Sequence, residues 1–131
     1  MEESIPAAVE ERLVDAQVPA YLATCVDGKP HVAPLWYRYE DGTVEILTTG
    51  QKLANLRRNP KVSLAVEQDD AGIPEWEVTI LGTARVIEEE GEAREANRKL
   101  NRKYGVEDDS WEGENTLVRI DVSSVSSKTW D

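Results

Sequence analysis

The sequence predicts a mainly β domain of the α+β kind, six mostly antiparallel strands forming a small barrel with helices at its periphery. Three observations carry that expectation. Short runs rich in Val, Ile, Thr, Tyr and Trp recur along the chain. Two Asp-Gly pairs, Asp27-Gly28 and Asp41-Gly42, punctuate them as tight hairpin turns. Helical periodicity is confined to the start, a short middle piece and one later segment. A length of 131 residues fits one domain. Its core is modest, so a monomer leaves much apolar surface exposed.

Residues 5–17 are expected to form a helix, with Pro6 in its first turn and Ile5, Val9, Leu13 and Ala16 at helical spacing. Pro19 ends it. Residues 20–26 read as a strand, and His31 to Tyr39 as its returning partner. Pro34 within that partner cannot donate a ladder hydrogen bond. It marks either a sheet edge backed by core aromatics, or an interruption whose free backbone groups, with Trp36 and Tyr37, meet a planar ligand. Residues 43–48 form the third strand. Thr49 then serves as N-cap of a short helix with Leu53 and Leu56 inward, stopped by Asn59-Pro60. Strand four covers 61–68, a polar loop 69–74, and a long fifth strand 75–88 in which Gly82 marks a bulge or close contact. Residues 89–104 read as a helix with Ala93, Ala96, Leu100 and Tyr104 on one face, acids at its start, bases at its end and Gly105 as its stop. An acidic loop carrying Trp111, a sixth strand over 116–122 and a short tail ending at Trp130-Asp131 complete the chain.

The net charge is −11, yet Ile46 to Val66 holds no acid and contains Lys52, Arg57, Arg58 and Lys61. This island carries +4, leaving −15 for the remainder. An acidic chain repels nucleic acid and anionic membranes as bulk partners. A local basic patch at a helix start suits a small anionic ligand such as a phosphate, held by first-turn amides, a hydroxyl of Thr48 or Thr49, and cations such as Lys52 and Arg57. Solvated cations paired with surplus acids are the alternative. The patch lacks the glycines of a Walker loop or dinucleotide fingerprint. The acid excess with only six lysines fits either halophilic adaptation or a merely acidic cytosolic protein. One cysteine excludes an internal disulfide, Met1-Glu2-Glu3-Ser4 has no leader-like character, and no apolar run reaches a membrane span; a cytoplasmic location is expected.

Other candidates are weaker. His31, the sole histidine, reads as a strand-surface polar group before a proton donor or ligand. Cys25 reads as a small core residue before a nucleophile. One His and one Cys make no metal-ligand set. Glu88, Glu89 and Glu90 read as a solvated helix start.

The run from Tyr21 to Tyr37 (YLATCVDGKPHVAPLWY) resembles the opening hairpin of the pyridoxamine phosphate oxidase-like split barrels, the flavin and deazaflavin oxidoreductases. Thr48 to Val62 (TTGQKLANLRRNPKV) is similar to their cofactor-phosphate segment, and Val78 to Ala84 (VTILGTA) to a strand with a Gly-small-Ala element. The resemblance covers about residues 6–130. It implies a six-stranded antiparallel split β-barrel, one FMN-binding domain over 1–131, in a homodimer with two cofactor sites at the interface. It implies that the backbone of Val32, Ala33, Pro34, Leu35 and Trp36 runs along the flavin ring, and that Thr48, Thr49 and Lys52 hold the ribityl phosphate. Gln51 stands where a second cation often occurs, so Arg57 or Arg58 compensates. Glu77 falls where many relatives carry Gln or Arg facing the ring. The Arg-rich C-terminal substrate motif of the true oxidases is replaced here by Val125-Ser126-Ser127-Lys128-Thr129-Trp130-Asp131, which argues against pyridoxamine phosphate as substrate.

The expectation is an FMN-binding oxidoreductase that passes hydride through its flavin between an electron donor and a small-molecule substrate. The alternatives are a reductase using the deazaflavin coenzyme F-420, which the Asn55-Leu56-Arg57-Arg58 run also resembles, and a flavin-binding module without turnover. A haem module, with His31 alone as nitrogen ligand, is weaker, and a nucleic-acid-binding barrel fails on charge.

Overall fold

A computed structural model describes residues 5–130; the Met1–Ser4 start and Asp131 lie outside the described residues. In chain order the elements are α1 (Ala7–Asp15), β1 (Ala20–Val26), β2 (Lys29–Leu35), β3 (Arg38–Glu40), β4 (Thr43–Thr48), α2 (Gly50–Arg58), β5 (Lys61–Asp70), β6 (Ile73–Ile87), α3 (Glu90–Tyr104) and β7 (Thr116–Thr129). All strand pairings are antiparallel, and the sheet runs β2-β1-β5-β6-β7-β4-β3.

The two edges of this sheet, β2 and β3, are consecutive in sequence and joined only by Trp36-Tyr37. Three Cα steps from Leu35 to Arg38 span at most about 11 Å. The sheet therefore curls until its edges nearly meet, while no ladder closes the seam: a split barrel. The strand count is seven rather than six, because the expected strand from His31 to Tyr39 divides at this seam. Alternation fails there: Tyr37 is buried, and Leu35 and Trp36 are both half-buried.

The barrel interior is filled by Leu22, Ile46, Leu64, Ile80, Ile120, Val44, Val66, Val78 and Val118, each almost wholly buried. Each such side chain stabilises the fold by roughly 1.5–3 kcal/mol relative to exposure. α1 contributes Val9 and Leu13 to the same core. It is shorter than the expected 5–17: Pro6, expected in its first turn, is its N-cap with extended backbone, and the chain turns extended again at Ala16. α3 packs against β3, β4 and β7. Beneath it Arg38, Glu45 and Arg119 stand in cross-strand register, and Glu45 accepts from Arg38 Nη2 at 2.7 Å and Arg119 Nε at 3.0 Å.

Two further boundaries differ from expectation. The polar stretch 69–74 is a hairpin, not a loop: β5 runs to Asp70, β6 starts at Ile73, and Ala71-Gly72 turn between them with positive φ. Asp69 Oδ2 accepts the Gly72 N–H at 2.7 Å, which supplies the turn chemistry that the Ala71 side chain lacks. β7 continues past Val122 to Thr129, pairing with β6 as far as Trp76↔Thr129. Serines that read as a tail are a strand because the long β6 offers them a free edge. Gly82 lies at the register shift between these strands. A Cβ there would sit 2.7 Å from both the Asp121 carbonyl oxygen and Ile120 Cγ2.

Candidate cofactor site

β1 brings the expected ring strand and the expected phosphate helix together. Thr24 on β1 pairs in register with His31 on β2, and its buried hydroxyl accepts from Asn55 Nδ2 of α2 at 3.0 Å. Asn55 in turn accepts from Gln51 Nε2 at 2.6 Å, and Asn59 Nδ2 donates to the Cys25 carbonyl at 2.8 Å. These bonds clamp α2 onto the end of the barrel, with Leu56 as its apolar anchor. His31 Nδ1 is buried beside this network with no partner among the described residues. Cys25 is half-buried and, counted from buried Leu22 and Thr24, faces outward; the core position expected for it belongs to Thr24.

Thr49 is the N-cap of α2, as its sequence position implied, but its side chain makes no capping hydrogen bond. The first-turn amides are consequently left for another acceptor. Thr48 lies on the inward face of β4 with Val44 and Ile46, only 2% exposed, and its hydroxyl has no partner among the described residues. Lys52 forms no ion pair among the described residues, nor does Lys61. Arg57 and Arg58 are paired outward, to Glu88 and Asp27, each at 3.1 Å. The acid-free island thus divides: its helix start keeps unspent donors, and its helix end is neutralised by surrounding acids.

β2 is an edge strand, so Pro34 costs no ladder bond. Val32 is 66% exposed and Pro34 is exposed, while Ala33 and Leu35 turn inward and are half-buried. Trp36 stacks on Tyr104 with ring centroids 4.3 Å apart and meets Trp111 edge-on at 5.5 Å. Burial pushes the Tyr104 hydroxyl up to about 12, so it stays protonated at neutral pH. Glu77 is not brought to this place. It lies on β6, three strands from β2, in register with Glu67 and Lys128. That is about 14 Å along the sheet.

Two adjoining outward rows beside Glu77 carry no charge. Pro34, Tyr21, Ala65, Thr79 and Ser126 form one registered row, and Val32, Ala23, Ser63, Leu81 and Ser124 the next. Tyr21, Val32 and Leu81 are among its exposed apolar side chains.

Sequence reasoning named Tyr104 as a packing residue and Trp111 as a loop residue, and missed that both surround Trp36. Buried Asn97 and Asn101, spaced four apart on the apolar face of α3, were the available signal. Among the described residues no group of three or more His, Cys, Asp or Glu is placed to hold a metal ion, and no helix is long and apolar enough to cross a membrane.

An antiparallel sheet split between consecutive edge strands, with a basic helix start beside the edge, defines the split-barrel class. Within it, the family described as pyridoxamine 5'-phosphate oxidase matches residues 5–129, and the chain belongs to that family. Solved structures share the fold. A FAD-binding protein from Mesorhizobium loti is 24% identical, with 97% of this chain and 96% of that one covered and a TM-score of 0.77. A conserved hypothetical protein from Mycobacterium tuberculosis is 26% identical, with 98% and 89% covered and a TM-score of 0.80. An F-420 reductase is 22% identical, with 93% and 98% covered and a TM-score of 0.74. No curated protein matches the chain.

Proposed function

We propose that this chain is a flavin-dependent oxidoreductase of its family, holding FMN between two copies of itself. The observation that carries this reading is the set of donors at the start of α2 that are unspent among the described residues: uncapped first-turn amides, the Thr48 hydroxyl and Lys52. A phosphate accepts from all three kinds of group and gains from the helix dipole. Bound FMN would supply the hydride chemistry. The backbone from Val32 to Trp36 would orient its ring, and Thr49 and Gln51 would border the phosphate, while Arg57 stays paired with Glu88.

The charge-free rows across five strands support a homodimer, since a monomer would leave them in water. Glu77 bears on the same point. It lies too far from β2 in its own chain, so it would approach a ring only from the second copy.

The alternative cofactor is coenzyme F-420, favoured by the likeness to a structure described as an F-420 reductase. Against it, Arg57 and Arg58 are already ion-paired, which leaves less of the island for a longer anionic tail. Mass spectrometry of the co-purifying cofactor tests the reading. FMN is the expected mass, a deazaflavin mass selects the alternative, and failure to retain either when supplied overturns both. Turnover with a nicotinamide donor and an acceptor distinguishes the enzyme from a binding module.

A further inference from the structure

Against Trp36 lies a cavity of about 250 Å³ between α3 and the loop 106–115. Its apolar surfaces are Leu47, Leu100 and the indoles of Trp36 and Trp111. Trp111 is held at φ 59 and is 48% exposed. A bulky side chain in that left-handed region is strained, and an indole half in water gains little burial in return. Yet the loop is firmly anchored in this arrangement. Asn97 Nδ2 donates to the Ser110 carbonyl at 2.9 Å, and Asn101 Nδ2 donates to the carbonyls of Asp108 and Ser110 at 2.9 and 3.0 Å. Both side chains also line the cavity; Asn101 gives both N–H groups of its amide to the loop and Asn97 one of its two, so the two amide oxygens are the acceptors left for a ligand.

An adjoining space of about 420 Å³ shares Leu47, Asn97, Trp111 and Asn115 with the cavity. Glu88, Glu90 and Glu112 line that space against a single Arg94, which is itself paired with Glu112. The surroundings of the cavity are thus net negative, in a chain of net charge −11. Anions are repelled; neutral and cationic molecules are not.

We propose that this cavity binds a planar aromatic molecule, neutral or cationic, whose N–H groups donate to the Asn97 and Asn101 oxygens while its ring packs on Trp36 and Trp111. The aromatic walls supply edge and face contacts, and a cation gains further from the indole faces. Binding here does not depend on the cofactor. Only its identification as the oxidoreductase's substrate site rests on the flavin reading.

Benzamidine, benzoate and acetophenone share one ring and differ in charge and donors, so they serve as probes in calorimetric titrations of the purified protein. Benzamidine is expected to bind about tenfold more tightly than either comparator, and Trp111→Ala to weaken it about tenfold. Trp130→Ala removes another exposed indole and is expected to leave affinity unchanged. Equal binding of benzoate, indifference to Trp111→Ala, or no benzamidine binding at about 1 mM would overturn the proposal. Loss of benzamidine binding on loading FMN would also overturn it, by assigning the cavity to the flavin ring. A protein that takes up no flavin but binds benzamidine sinks the flavin reading and leaves this one standing.

Discussion

The hydroxyl of Tyr104 stands where a strand neighbour is missing: it accepts the backbone N–H of Tyr37 at 3.3 Å and donates to the Val18 carbonyl at 2.8 Å. Tyr37 lies at the seam of the barrel, where no ladder can satisfy its amide. A buried amide cannot be left unpaired cheaply. One phenol on α3 therefore replaces the absent ladder bond, while the Tyr37 hydroxyl ties the seam to α1 through the Leu13 carbonyl at 2.7 Å. Tyr104→Phe keeps the ring stacked on Trp36 but orphans these groups. It is expected to lower unfolding free energy in urea by about 1–3 kcal/mol. An unchanged midpoint would show that the seam needs no such bridge.

Gly82 is a steric requirement of the β6–β7 register. The added Cβ of Gly82→Ala would meet a backbone carbonyl, which cannot swing aside as a side-chain tip can. The strands must separate or slip, so thermal stability is expected to fall by roughly 1–3 kcal/mol, the usual cost of overpacking. Calorimetry of the variant checks this.

Much of this architecture was legible because its signals are local. The turns at Asp27-Gly28 and Asp41-Gly42 have the positive φ values that those pairs favour, and Gly105 ends α3 in the left-handed conformation expected of a helix stop. The seam was not legible as a seam. Pro34 drew attention to the right strand, but the break falls at Trp36-Tyr37, where nothing in residue type forbids a strand. It is fixed by tertiary partners, α1 and Tyr104, distant in sequence. The same holds for the site. The helix start was visible as a charge anomaly, whereas pairing of Arg57 with Glu88 and Arg58 with Asp27 joins residues 31 apart. No periodicity encodes such a pairing.

Lys52 and Thr48 both lower flavin binding when replaced, but differ in their effect on stability, if they serve an anion. Lys52→Glu places a negative charge at a helix start; it is expected to abolish flavin retention with little change in the fold, since Lys52 is only partly buried and unpaired. Thr48→Val replaces a buried, unpartnered hydroxyl by a methyl group of the same shape. The flavin-free protein is expected to gain about 1 kcal/mol, because no orphaned polar group remains, while flavin affinity falls. Denaturant titration and flavin fluorescence, run on the same preparations, measure both effects. A variant that loses stability and keeps its flavin would place Thr48 in the core for packing alone.

Lys103 makes stability depend on alkaline pH in a direction opposite to the tyrosines. Burial, reinforced by the nearby Arg38 charge, lowers its pKa to about 8 against 10.5 for a free lysine. Its Nζ donates to the Leu13 carbonyl at 3.1 Å and lies 3.6 Å from the centre of the Tyr37 ring. Below pH 8 both folded and unfolded chains carry the proton, and the cost of burying the charge is constant. Between about 8 and 10 the unfolded chain still holds a proton that the folded chain has released, so stability rises with pH. Above 10 the unfolded tyrosines ionise while Tyr39 and Tyr104, raised to about 12 chiefly by burial, do not; stability then falls. Lys103→Met removes the rise but keeps the fall. Urea unfolding of wild type and variant at pH 7, 8, 9 and 10 is expected to show wild type gaining on the variant across that interval. Parallel curves would mean that Lys103 keeps its proton in the folded chain.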